Sequence, residues 1–426
     1  MDLTDTITDD QINSFFGPLN LNAADSKYTS NSVRTIRKIP KGAQHAWALV
    51  NEAAAKRVLS NRGKPEYARF LMSLPGACLG PLTKAEKAAK TTLTDKILTN
   101  ISQILRGDFS SFDAVPDEHI RAPQEPPGVI TKAIAARIAE AMRENCISIA
   151  VRTVEGDGIM AGTPEVAIKL QEMYPTPSPD FEYDFSQPLA ATFKPDEQLG
   201  PAPSYDGAMA SSVYELNKLW KRYMDAATRA GRMKAAGRAG GRNEHVRDAL
   251  QHSRRIMPLL MNEIENDNMC SELRMFLANV KVTTLNKPDK QDPTAPPKDF
   301  RPIGSGEPLH KISQNPMARE MNAHFAQKLA KLGQFGMCPD GITLAGILPA
   351  IVLEMPKFEN AALGLADVTS AFQLISRKAL WQVLCELEDS QIKVKLQRKF
   401  LALYSGTNYG YYLLADGTTM VVSIDQ

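Results

Sequence analysis

The chain has 426 residues, 43% of them hydrophobic, and its 50 Lys and Arg nearly balance 48 Asp and Glu for a formal net charge of +2. That length and apolar content predict two or three domains with real cores in a soluble, intracellular chain. Five cysteines (Cys78, Cys146, Cys270, Cys338, Cys385), widely spaced and without a CxxC pair, exclude a disulfide framework and a zinc finger, as do six scattered histidines.

Residues 1–30 are polar and rich in Asn, Asp, Ser and Thr, which predicts a poorly ordered tail. The acidic opening Met1-Asp2-Leu3-Thr4-Asp5 lacks the basic-then-apolar order of a signal peptide. Residues 31–115 read as a helical region, with Trp47, Leu49, Val50, Ala53, Val58 and Leu59 at helical spacing. Residues 116–185 read as a helical spacer with proline linkers. Pro116 to Pro127 is a linker, Thr131 to Asn145 an Ala/Arg/Glu-rich helix, and Thr163-Pro164-Glu165 an N-cap followed by proline at the first helical position. Seven prolines between Tyr174 and Tyr205 predict an extended connector, which leads into a basic helical segment within 186–260. From Lys218 to Arg255 eleven basic residues face only Asp225, Glu244 and Asp248. Arg238 and Arg242, in the glycine-rich run Ala235 to Arg242, are the candidate contacts to a nucleic-acid backbone. A solvated helix face accounts for the same charge pattern.

Residues 261–426 change character. Val280 to Leu285 alternates like a half-buried strand, Lys287 to Lys298 is a Pro/Asp/Lys loop, and Leu309 to Leu332 carries helical spacing at Ile312, Met317 and Phe325. Gly341 to Met355, interrupted by Pro349, is too short to span a bilayer and reads as a buried helix. The apolar run Ala361 to Ala366 ends in Asp367-Val368-Thr369-Ser370-Ala371-Phe372, the pattern of a buried strand that delivers a carboxylate to a site at its C-terminal end. Taken alone, such an Asp is also a turn or N-cap residue. Leu380, Val383, Leu384 and Leu387 mark a helix whose acidic end, Glu386, Glu388 and Asp389, reads as a solvated face. Tyr411 to Leu414 and Met420 to Val422 flank Asp416-Gly417 as a hairpin.

In chain order, Lys287-Pro288-Asp289-Lys290, Asp299-Phe300-Arg301-Pro302-Ile303-Gly304, Gly333 to Gly336, Asp367 to Phe372 and the hairpin Tyr409 to Ser423 resemble the fingers and first palm segment of reverse transcriptases, specifically those of LINE-type non-LTR retrotransposons. Upstream, Ile159 to Glu165, Lys169-Leu170, Tyr174-Pro175 and the glycine-rich run with His245 to Asp248 resemble the spacer and the start of the fingers in that family. The resemblance implies an α+β chain, a helical N-terminal half followed by a partial fingers/palm domain. It implies RNA-directed DNA synthesis from deoxynucleoside triphosphates, with an RNA template and a DNA primer as partners. Asp367 would be catalytic and hold Mg2+, Phe372 would be the steric gate against a ribose 2′-OH, and Lys287 and Arg301 would face the triphosphate.

Two-metal nucleotidyl transfer needs more carboxylates than Asp367 supplies. The family's Gln-Gly-Asp-Pro and Tyr-x-Asp-Asp motifs do not occur among the 426 residues, and Asp425-Gln426 looks like the approach to the first of them. The expectation is therefore a fragment, from a truncated reading frame or an incomplete gene model, without polymerase activity of its own and nuclear if the element is eukaryotic. The alternatives are a non-catalytic nucleic-acid-binding protein derived from a retroelement and a protein-interaction module in the helical N-terminal half.

Overall fold

The computed structural model describes residues 7–21, 34–113, 132–144, 146, 162–174, 194–203, 213–287, 299–331, 334, 351, 355, 376–404, 408–414 and 417–424. Helices dominate, and a four-stranded sheet stands beside them, an α+β composition.

The central helix is α2 (Lys41–Ser60), after α1 (Asp9–Phe16). Its sequence buries Ala43, Trp47, Val50, Ala53, Ala54, Ala55, Val58 and Leu59, which lie around the helix and not along one stripe. Such a helix must be surrounded, and small alanines let neighbours approach closely. The surround consists of α3 (Pro65–Cys78), α5 (Leu93–Leu105) after the short α4 (Lys84–Ala88), and two later helices, α10 (Asn243–His252) and α11 (Ile256–Glu265). Between them in sequence come α6 (Ser110–Asp113), α7 (Lys132–Arg143), α8 (Pro164–Glu172) and α9 (Val213–Arg229). α12 (Ser271–Ala278) and α13 (Pro308–Lys331) complete this body. One hydrophobic cluster runs from Ile7 to Ile312, so the boundaries read from prolines do not separate cores.

The segment 1–30, read as a loose tail, needs correction over its described part. Thr8 caps α1 through a capping box, its hydroxyl accepting from Gln11 N at 3.2 Å while Gln11 Oε1 accepts from Thr8 N at 2.8 Å. Ile12 and Phe16 are fully buried, and the Phe16 ring meets Phe70, Phe109 and Phe112 at centroid distances of 5.1–5.4 Å. Arg69 donates to the carbonyls of Phe16 and Gly17 at 2.8 and 2.7 Å, which satisfies the open C-terminal end of α1. The same guanidinium grips Glu272 of α12 with two bonds of 2.8 and 2.6 Å, and Glu272 also accepts from Leu21 N at 2.9 Å. Composition hid this because few apolar residues, spaced by a helical turn, are enough to dock a short helix.

The proline connector is also partly docked. Ala202 is buried, its N–H bonds Leu59 O at 2.7 Å, and Arg62 reaches the carbonyls of Gly200 and Pro201 while pairing with Glu263 at 2.5 Å.

The sheet has the order β2-β1-β3-β4. β1 (Val280–Lys287) pairs antiparallel with β2 (Asp299–Ser305) and parallel with β3 (Tyr409–Leu413), which turns into β4 (Thr419–Ser423). The strand and hairpin expected near 280 and 411–422 are therefore present. One face packs Val282, Phe300, Tyr412 and Val422 under Ala167 and Leu170 of α8, whose start is capped by the Thr163 hydroxyl accepting from Val166 N at 3.3 Å. The helices α14 (Arg377–Glu386) and α15 (Ser390–Tyr404) pair through Leu384, Phe400 and Leu401. Of the stretch 341–355 only Ile351 and Met355 are described, and both are exposed.

Truncating Phe16 to Ala removes a fully buried ring from an aromatic cluster, and such changes cost about 3–5 kcal/mol. Urea unfolding of Phe16→Ala against the parent chain should show that loss, whereas a loose tail predicts none.

Candidate functional site

The β1–β2 hairpin decides how Lys287 and Arg301 relate. In its register Lys287 lies opposite Asp299 and Leu285 opposite Arg301. Side chains two apart on a strand share a face, so Lys287, Leu285, Asp299 and Arg301 project on one side. That side is the open one, with Leu285 and Arg301 exposed and Val282, Thr284 and Phe300 turned inward. The two cations proposed for one anion are thus diagonal neighbours on adjoining strands, held by a backbone ladder. Lys287 Nζ lies 3.2 Å from Asp299 Oδ2, and Lys169 Nζ of α8 lies 3.4 Å from Asp299 Oδ1. Partial burial raises the Asp299 pKa, but the Phe300 N–H, Lys287 and Lys169 outweigh it and hold the carboxyl below its usual range.

Asp367 and Phe372 lie outside the described residues, as do Asp416, Asp425 and Gln426. Among the described residues no three His, Cys, Asp or Glu side chains stand close enough to hold a metal ion together. Glu386, Glu388 and Asp389 end α14 and precede α15, where the Asp389 carboxylate caps the next helix by accepting from Gln391 N and Ile392 N at 3.0 and 3.1 Å.

The glycine-rich run departs most from its expected role. Arg238 is 1% exposed, its guanidinium carbon lies 3.4 Å from the Tyr411 ring centroid and 4.8 Å from that of Phe276, and its Nη2 donates to Leu21 O at 2.9 Å. Burial pulls its pKa down to about 10, so the side chain remains a cation, but none of it faces a phosphate backbone. Arg242 is half-buried and donates to Lys234 O at 3.2 Å. Other charges of the basic segment are also engaged: Arg222 pairs with Glu265 and Glu320, Arg229 with Asp225, and Arg254 stacks over Trp220. The helix α9 still presents Lys218 and Lys221 to solvent.

What the glycine turn holds is a carboxylate of the chain itself. Glu307 is 1% exposed and accepts from Ala239 N at 2.7 Å. A Cβ on Gly237 would fall 2.4 Å from Glu307 Oε2, and Gly240 has φ +80°, so both positions need glycine. Burial pushes the Glu307 carboxyl up to about 7, against the pull of the Ala239 N–H and the Arg238 charge.

Glu307 lines a cavity of about 40 Å³ together with Trp47, Asn51, His245, Met257 and Leu309. The His245 Nε2–H donates to Ile36 O at 2.7 Å, which leaves Nδ1 as an acceptor without a partner. Burial lowers its pKa to about 3, and the imidazole is neutral. The space suffices for two or three waters between polar groups, not for a nucleotide.

Sequence reasoning missed Lys169, Asp299, Glu307 and His245. Asp299 was not readable, since the connection between Lys287 and Asp299 is long enough to allow many registers, and only the fold sets the two opposite each other. Nothing in spacing marks Glu307 as the partner of a turn some seventy residues upstream.

No protein-family model, curated protein or solved structure matches the chain.

The Glu307 pKa lies above its ordinary 4.5, so this group favours folding below pH 4.5, and that contribution is lost as pH rises to about 7. His245 acts oppositely, because its lowered pKa removes stability as pH falls below 6.5. Glu307→Gln abolishes only the first effect. Its unfolding free energy should gain on that of the parent by up to about 3 kcal/mol between pH 4.5 and 7, since each pH unit in that window is worth about 1.4 kcal/mol. A constant offset across parallel urea titrations would refute the assignment.

Proposed function

We propose that the chain is the fingers and first palm portion of an RNA-directed DNA polymerase of the non-LTR retrotransposon type. The observation that carries the reading is the placement of Lys287 and Arg301 as diagonal neighbours on one open face of the β1–β2 hairpin. A polyphosphate is held best by two or more cations at a fixed backbone spacing, which a β-ladder supplies without ordering of the backbone at binding. Arg301 offers a planar fork for two phosphate oxygens and Lys287 a movable point charge. In this reading Phe372 excludes the 2′-OH of a ribonucleotide and Asp367 holds Mg2+, as the resemblance implies. Magnesium bound there supplies charge neutralisation to the triphosphate. The Gln-Gly-Asp-Pro and Tyr-x-Asp-Asp motifs are not among the 426 residues, so the reading is tested by binding and not by turnover.

A fluorescent deoxynucleoside triphosphate with Mg2+ should bind in the presence of competing nucleoside, and Arg301→Ala should weaken binding about tenfold, as expected for one charge-assisted hydrogen-bonding group. Lys287→Ala should cost less, and Phe372→Ala should narrow the preference for deoxy over ribonucleotide. Equal competition by nucleoside and triphosphate would overturn the proposal.

A further inference from the structure

We infer that Asp299 is a built-in substitute for the ligand's phosphate, occupying an anion site that has three cations, Lys287, Arg301 and, from α8, Lys169. The inference rests on the triphosphate-binding reading of the hairpin and adds a residue and a control element to it.

Its geometry is a carboxylate with each oxygen turned to a different ammonium, Oδ2 to Lys287 at 3.2 Å and Oδ1 to Lys169 at 3.4 Å. Asp299 Oδ1 also accepts from the Phe300 N–H at 2.9 Å, which orients the carboxylate along the start of β2. Lys169 arrives from the helix that covers the opposite face, anchored there by its neighbours Ala167 and Leu170, and its Nζ lies 5.7 Å from the Phe300 ring centroid. Two ammonium groups therefore flank one carboxylate at the open edge of the hairpin, and Arg301, two residues along β2 on the same face, forms no ion pair among the described residues.

All three ion-pair side chains are 42–48% exposed. Pairs of that kind hold weakly, because water and salt screen them. A polyphosphate of charge three or four outcompetes a single carboxylate for the same cations. Once displaced, however, Asp299 leaves its negative charge beside the bound anion, a repulsion that lowers affinity and keeps the site closed to weaker anions such as single phosphates. The position thus sets a threshold, admitting polyphosphates and rejecting monophosphates.

The test is inorganic tripolyphosphate, and separately orthophosphate, titrated calorimetrically at low salt into the full chain and into Asp299→Asn, Lys169→Ala, Lys287→Ala and Arg301→Ala. Thermal melts first confirm that each variant folds. Asp299→Asn keeps the shape and removes the charge, so tripolyphosphate should bind about fivefold tighter, a gain that fades with added salt, and orthophosphate should become detectable. Lys169→Ala should weaken tripolyphosphate binding several-fold in both the parent and the Asp299→Asn background.

If the parent binds and Lys287→Ala and Arg301→Ala weaken it, but Asp299→Asn leaves affinity unchanged or lower, the stand-in role is overturned while the triphosphate reading survives. Tighter binding by Asp299→Asn with no effect of Lys169→Ala removes Lys169 from the site. Absence of binding by every variant, Asp299→Asn included, overturns both the inference and the reading beneath it.

Discussion

The glycine-rich turn brings together two buried ionisable groups, the guanidinium of Arg238 and the carboxyl of Glu307, and how they are accommodated ties the chain's distant segments to one another. Removing a charge from water is costly unless its hydrogen bonds and field are replaced. Here the replacement is partial and comes from four parts of the chain, the Ala239 N–H, the Leu21 carbonyl and the faces of Tyr411 and Phe276, while Arg238 Nε and Nη1 have no hydrogen-bond partner. Because Tyr411 belongs to β3, Phe276 to α12 and Leu21 to the N-terminal segment, none of these can move away without stranding a charge. The sheet is thus locked to the helical body by electrostatics in addition to apolar contact.

The same logic recurs where the N-terminal segment closes the core. Arg69 is shared between Glu272 and two carbonyls at the end of α1, so the aromatic packing of Phe16 and the ion pair between α3 and α12 support each other. Arg62 acts in the same way on the segment 194–203, pairing with Glu263 and satisfying backbone carbonyls that would otherwise be left open. Tyr223 donates to Glu265 at 2.5 Å, and Lys399 meets Asp267 at 2.6 Å. These buried pairs join segments far apart in sequence, and each requires its apolar surroundings to exclude competing water.

The basic stretch from Lys218 to Arg255 is largely engaged with internal partners, and its most sheltered member, Arg238, is structural. Cations reach solvent on α9, at Lys218 and Lys221, and on the hairpin, where the backbone ladder fixes the strand positions of Lys287 and Arg301. A two-strand platform fixes the backbone spacing of its cations, and only their long side chains are left to be ordered by a ligand.

How much was legible in the sequence follows from the range of each interaction. Alternation at Val280 to Leu285, the turn chemistry after Leu414, the Thr163-Pro164 cap and the helical spacing around Trp47 are local signals, and each yields the element it predicts. The common face of Lys287 and Arg301 follows from the β1–β2 register, which the long connection between the strands leaves open in the sequence. What required the tertiary structure is every partner separated by long stretches of chain: Glu307 for the glycine turn, Tyr411 for Arg238, Glu272 for Arg69, and Lys169 for Asp299. A glycine-rich basic run reads identically whether it cradles a phosphate or a carboxylate of its own chain, because its backbone N–H groups serve any anion. Only the fold, by bringing Glu307 to the turn, decided which one it holds.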